Sequence, residues 1–225
     1  MTGNLLFTKN GKFEDNFCSV HQTMPLPPSF KPKNMGEHDF DRIKESVLKA
    51  LEGLSPHLTY HSVEHTLDVV RASERIAREE GRSDDREIFL LKVAALYHDT
   101  GFLEAYAGHE EKSCGIFMRD AAHLGLTATE KNTVKALIMA TRTPQEPCSH
   151  LEKIICDADL DYLGRPDFQE IGDKLRREFL HYRIVADDRD WEQLQLNFLR
   201  DHHYHTVSSQ RQREPRKQYN YQLLL

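Results

Sequence analysis

The segment DREIFLLKVAALYHDTG (residues 85–101) is apolar at almost every position from Ile88 to Leu96, then ends in a His-Asp pair and a glycine. A helix that is hydrophobic all round belongs inside a bundle, so this one predicts the centre of a helical core. His98 and Asp99 place two polar groups beside that core, which is costly unless they are paired or metal-bound. Neighbours on a helix point about 100° apart, so both reach one point only where the helix ends or distorts, and Thr100 with Gly101 supplies such an end.

Helical spacing continues on either side. Upstream, Phe40, Ile43, Val47, Leu48, Leu51 and Leu54 recur three and four apart behind Asp39, an expected N-cap, and Ser55-Pro56 breaks the pattern. Residues 63–80 carry Leu67, Val70, Ile76 and Ala77 on one face and end at Gly81, a good C-cap. Downstream, helices are expected over about 109–124, 127–141, 151–163, 167–182 and 191–203. There is no internal repeat, low-complexity tract or sustained alternating pattern, so the expected class is all-α. The expected organisation is an irregular N-terminal arm over 1–38 with Pro25, Pro27, Pro28 and Pro32, a helical core over 39–206, and a C-terminal helical tail over 207–225 that Pro215 kinks or frays.

A chain of 225 residues holds one domain with appendages. With 39% hydrophobic and 29% charged residues and a net charge of -6, it reads as soluble and mildly acidic, which argues against general nucleic-acid binding. No apolar run approaches the roughly 20 residues that span a bilayer, and no signal-peptide pattern opens the chain, so no membrane association and a cytoplasmic location are expected. Cys18, Cys114, Cys148 and Cys156 form no CxxC pair and suit reduced thiols. Thirteen histidines, by contrast, invite a search for clusters.

His61 and His65 lie four apart in YHSVEHT (60–66), and CDADLDYLG (156–164) offers Asp157, Asp159 and Asp161. Ligands of a bundle commonly project from several helices into one shared position. If both are helical, His61 and His65 share a face about 6 Å apart along the axis, yet His61, near the helix start, need not do the job of His65. GHEEKS (108–113) places His109, Glu110 and Glu111 at a helix start, where the glutamates suit the local dipole and His109 can approach a metal pocket. Arg142 is either a phosphate clamp or a solvated arginine. His202, His203 and His205 read as a helix end with half-exposed histidines, and His38-Asp39 as a polar helix start.

Taken together and in order, these motifs resemble the HD superfamily of metal-dependent phosphohydrolases, whose pattern is H, then HD, then D, on an all-helical core. The resemblance covers about 39–205 and implies that His65, His98, Asp99 and Asp159 hold a first metal, with Asp99 bridging to a second. YHSVEHT is similar to the YHNxxHA motif of cyclic-nucleotide phosphodiesterases, which would make His61 the general acid. YHSVEHT, ALYHDTGF, GHEEKS, ATRTPQEP, DADLDYLGRPDF and FLRDHHYHT also resemble bacterial HD domains found alone or beside cyclase-like modules. Ser62 departs from the phosphodiesterase asparagine, no histidine follows the HD pair three residues on, and Phe102 stands where some HD nucleotidases place glutamate.

The resemblance implies hydrolysis of a small-molecule phosphoester, a nucleotide or cyclic nucleotide, by a metal-activated water. One or two divalent ions among Mn, Fe, Co, Ni and Zn suit this donor chemistry, with His61 and Asp99 catalytic and His109, Glu110 and Arg142 open to substrate or a second metal. Tyr60-His61 favours phosphodiester over phosphomonoester cleavage. The competing reading is a regulatory module that binds metal and nucleotide without turnover; a homo-oligomer is compatible with either.

Overall fold

The computed structural model describes residues 37–225, so the expected arm over 1–38 lies outside them except for its last two positions. Among the described residues the helices are α1 (Glu37–Leu51), α2 (Val63–Glu79), α3 (Asp85–Tyr97), α4 (His109–Asp120), α5 (Ala128–Ala140), α6 (His150–Asp159), α7 (Phe168–His181), α8 (Asp188–Asp201) and α9 (Val207–Leu224). Two 3-10 turns, Thr100–Leu103 and Asp161–Gly164, join them, and no strand occurs among the described residues. The class is all-α.

Every residue of α3 from Ile88 to Tyr97 is buried, and α1, α2, α4, α5 and α6 pack around it. The continuous apolar run thus does what it predicts: it has a neighbour on every side. α2 buries Val70, Ile76 and Ala77 but presents Thr66 and Val69 where Leu67 was expected, leaving Leu67 half-buried. Its end is set by Gly81 at φ +76°, with Arg82 N–H donating to the Ala77 carbonyl at 2.8 Å; that left-handed turn suits glycine. α5 and α6 each open with a capping box, Thr127 with Glu130 and Ser149 with Glu152.

Several boundaries differ from expectation. α1 starts at Glu37, so Asp39 lies inside the first turn and is not the N-cap. α6 stops at Asp159, short of Leu163, because Leu160 leaves helical geometry and the chain turns through Asp161–Gly164. Backbone packing demands that turn: a Cβ on Gly164 would sit 2.4 Å from the Arg213 carbonyl oxygen of α9. α8 ends at Asp201, short of His203, and His202 is extended. Buried Asp157 takes the N–H groups of His205 and Thr206, each at 2.8 Å, and the Thr206 hydroxyl at 2.6 Å, which holds this connection out of the helix.

α9 is continuous through Pro215 rather than frayed. Pro215 and Arg211, four residues earlier, are both exposed, so the carbonyl deprived of its partner faces water. Three anchors tie α9 down. Arg213 donates to Asp161 at 2.7 and 3.0 Å, Asn220 donates to the carbonyls of Leu163 and Arg165 at 2.9 and 3.1 Å, and buried Lys217 donates to the His202 carbonyl.

Lys217 also sets a pH limit on this packing. Its ammonium lies 3.3 Å from His202 Nδ1, and His202 Nε2 is buried without a hydrogen-bond partner. Burial, then the charge of Lys217 and the neighbouring His205 and His203, push the His202 imidazole down to about 3. An unfolded histidine titrates near about 6.5. Between these values the unfolded chain takes up a proton that the folded chain refuses, so this stability is present above about pH 6.5 and lost as pH falls below it. Lowering pH from 7 to 5 is expected to cost the parent about 2 kcal/mol more than His202→Gln. Denaturant unfolding of both at the two pH values checks this; equal losses would remove His202 as the cause.

Candidate metal centre

α2, the end of α3 and the end of α6 bring four side chains to one point. Ser62 caps α2, accepting the His65 N–H at 3.4 Å, and sets His65 within the first turn. His98 is the C-cap of α3, and Asp99 has already left the helix at φ -106°, ψ 3°. That change of direction lets neighbouring side chains converge. Asp159 is the last residue of α6. The Nε2 atoms of His65 and His98 are 3.4 Å apart. Asp99 Oδ2 lies 3.4 Å from the first and 3.1 Å from the second, and Asp159 Oδ1 lies 3.2 and 3.6 Å from them.

Two details test whether these residues fit a cation. His98 Nδ1 lies 2.8 Å from the Ala95 carbonyl, so it carries the proton and donates, leaving the Nε2 lone pair aimed at the cluster. Asp99 Oδ2 is buried with no hydrogen-bond partner, an expensive state for an anionic oxygen unless a cation meets it. Two imidazoles and two carboxylates, with room for further ligands, are the donor chemistry of a divalent transition metal. The residues fit.

Charge tells the same story. Burial opposes a proton on His65, but Asp159 and Asp99 outweigh it and push the imidazole up to about 9. His98 is raised likewise against burial, by Asp99 and Asp159. Burial would raise both carboxyls; the histidines instead hold Asp99 well below its ordinary range and Asp159 at about 2. The imidazoles and carboxylates thus favour opposite charges across the cluster, a demand that a divalent ion would meet when bound.

The 3-10 turn after Asp99 brings up a second group. A Cβ on Gly101 would meet the His109 carbonyl oxygen at 1.9 Å, so only glycine allows α4 to start this close. Ser113 locks the approach, accepting from Gly101 N–H at 2.8 Å and donating to the His98 carbonyl at 2.6 Å. His109 Nε2 consequently lies 3.6 Å from Asp99 Oδ1 and 3.5 Å from Glu110 Oε1. Asp99 turns one oxygen to His65 and His98 and the other to His109.

His61 is not helical: it precedes the N-cap Ser62, so it and His65 do not share a helix face, and their rings are 6.0 Å apart. Its ring stacks on Phe102 at 4.2 Å, and Phe102 stacks in turn on His109 at 3.9 Å. His61 Nδ1 is bonded to Glu178 Oε1 from α7. Glu178 Oε2 accepts the N–H groups of Tyr60 and His61 at 3.0 and 3.1 Å, and Oε1 accepts the Tyr106 hydroxyl at 3.0 Å. Burial would raise this carboxyl, yet His61 and the two N–H donors hold it below its ordinary range.

Residues 62–161 match the family model described as HD domain. This stretch is similar to the HD domain. No curated protein and no solved structure matches the chain. The matched span runs from the cap of α2 to Asp161 and contains His65, His98, Asp99 and Asp159, whereas His61 and Glu178 lie outside it. The match is consistent with a likeness to the metal-dependent phosphohydrolases of the HD superfamily. No helix among the described residues is long and apolar enough to cross a membrane.

Around these four side chains the remaining candidates separate. Glu110 is buried next to His109. Arg142 is exposed and paired with Glu111 rather than with any of the four converging side chains. Asp157 and Asp161 face away from the cluster, Asp157 holding the start of α9 and Asp161 taking Arg75 at 2.7 Å as well as Arg213. His202, His203 and His205 form no comparable ligand group among the described residues. Sequence reasoning missed two contacts: Gln145, whose amide reaches Asp159 Oδ2 at 3.4 Å, and Glu178. Glu178 had a legible signal, since it continues the apolar stripe of Ile171 and Leu175, where a carboxylate needs a partner.

Proposed function

We propose that the chain hydrolyses a phosphoester of a small molecule, a nucleotide or cyclic nucleotide, with His65, His98, Asp99 and Asp159 holding a divalent ion and His61 donating the proton. The observation that carries this reading is the unpartnered, buried Asp99 Oδ2 between two imidazole Nε2 atoms. A bound ion would lower the pKa of a water from about 15.7 toward about 7 and draw charge from the phosphoryl oxygens. Asp99 Oδ1, His109 and Glu110 are the natural holders of a second ion.

The chain's own residues supply the rest. Glu178 fixes the His61 ring through Nδ1, leaving Nε2 as the nitrogen that gives a proton to the departing oxygen. Its buried carboxylate offsets the charge of the protonated ring, as a triad carboxylate does. Phe102, stacked against His61, shields that side from water. An oriented proton donor favours turnover over a purely regulatory binding role, and Tyr60-His61 favours a phosphodiester. The free, buried thiols of Cys114 and Cys156 suit a reducing compartment, so a cytoplasmic setting belongs to the proposal.

The test is metal analysis of the purified chain, then turnover of linear and cyclic nucleotides with Mn, Fe, Co, Ni or Zn supplied. Metal-dependent release of phosphate or opening of a cyclic phosphodiester is expected. Metal-loaded protein inert toward every member would overturn the enzyme reading in favour of a metal- and nucleotide-binding sensor.

A further inference from the structure

Next to the ligands, a cleft of about 190 Å³ runs between α2, the Asp161–Gly164 turn and the start of α7, with His65 and Asp159 in its lining. Each cation in that cleft already has a carboxylate. Arg165 is forked on Asp167, with Nε 2.9 Å from Oδ1, and its other arm is bonded to Asp68. Arg71 takes the second oxygen of Asp68 at 3.2 Å, and Lys174 lies 3.7 Å from Glu170. Glu64 adds a further carboxylate, while Tyr60, Tyr162 and Ile171 supply uncharged wall.

A phosphoryl group at the metal centre is neutralised by the ion. A second or third phosphate entering the cleft would meet no unpaired cation and would face Glu64, Asp68, Asp167 and Glu170. Freeing Arg165 for it would strand Asp167 and leave Asp68 to the exposed Arg71 alone, and like charges brought together cost several kcal/mol. An uncharged sugar or base meets no such penalty there and finds ring faces and a hydroxyl from Ser62.

We propose that this cleft selects substrates with a single phosphoryl group, nucleoside monophosphates or cyclic mononucleotides, and rejects nucleoside triphosphates and cyclic dinucleotides. The inference rests on the phosphohydrolase reading and narrows its substrate class.

The experiment compares AMP, cyclic AMP, ATP and cyclic di-AMP on the metal-loaded full chain, with metal in excess of nucleotide, reading kcat/KM and, separately, affinity by equilibrium dialysis. The better single-phosphate member is expected to exceed ATP and cyclic di-AMP by at least about 100-fold in kcat/KM and to bind more tightly. Glu64→Lys places an unpaired cation in the cleft and is expected to raise the ratio of ATP to AMP affinity about tenfold. ATP or cyclic di-AMP bound and hydrolysed as well as AMP and cyclic AMP would overturn the selection while leaving the phosphohydrolase reading standing. Failure of all four to bind or turn over would overturn both.

Discussion

Asp99→Ala is expected to purify without its metal and without turnover. Asp99 faces both halves of the proposed centre: Oδ2 approaches His65 and His98, and Oδ1 approaches His109. Loss of a residue that merely orients a ligand costs about 10- to 100-fold in metal affinity, so loss of this donor should exceed about 100-fold. The measurement is metal content after dialysis, alongside turnover, with helical content by circular dichroism confirming the fold. Asp99→Asn provides a second reading, since it keeps the shape and one carbonyl oxygen but removes the charge that faces two imidazoles. If both variants kept the parent's metal stoichiometry, Asp99 would have no place in the ligand set.

His61→Ala should behave differently, keeping its metal while turnover falls by about 10²- to 10⁴-fold, the range general acid catalysis supplies. The ring stacks on Phe102 and bonds to Glu178, so its removal leaves the four proposed ligands in place. Glu178→Gln sharpens the test. The amide can still accept from the Tyr60 and His61 N–H groups, but it cannot offset charge on the imidazole. A loss of about 10²-fold or more in kcat is expected, with metal content and KM little changed. If Glu178 works through His61, the double variant will be no slower than His61→Ala alone, because residues acting as one unit are non-additive. Fully additive losses, or a Glu178→Gln enzyme with the parent's pH-rate profile, would refute this coupling.

How far the centre was legible depended on what each residue had to do locally. His98 and Asp99 announced themselves by closing an apolar run, since polar groups at the end of a buried helix must be accounted for. Their convergence also followed from chain chemistry, because Gly101 permits the turn that two neighbouring ligands require. Asp159 could be picked from three aspartates only through the family pattern. What separates them is where α6 stops: Asp159 is its last helical residue and reaches the histidines, while Asp157, two residues back, turns to Thr206 and His205.

His61 shows the opposite case. Spacing of four suggested a face shared with His65, but Ser62 caps α2 after His61, so the pair is held by a cap and by Glu178 from a helix more than a hundred residues on. No local pattern encodes that partner. Arg142 likewise could be a clamp or a solvated side chain until the packing of α4 beside α5 gave it Glu111.

By itself, then, the sequence determined the all-helical class, the buried position of α3, the glycine that ends α2, and the demand for a partner at His98 and Asp99, all of which follow from local periodicity, backbone freedom and the cost of burying polarity. Only the tertiary structure decided which oxygen of Asp99 faces which histidine, that Glu178 holds His61, and that every cation lining the cleft is matched by a carboxylate. Those are pairings between distant segments, and a pairing depends on where helices cross, which no single helix specifies.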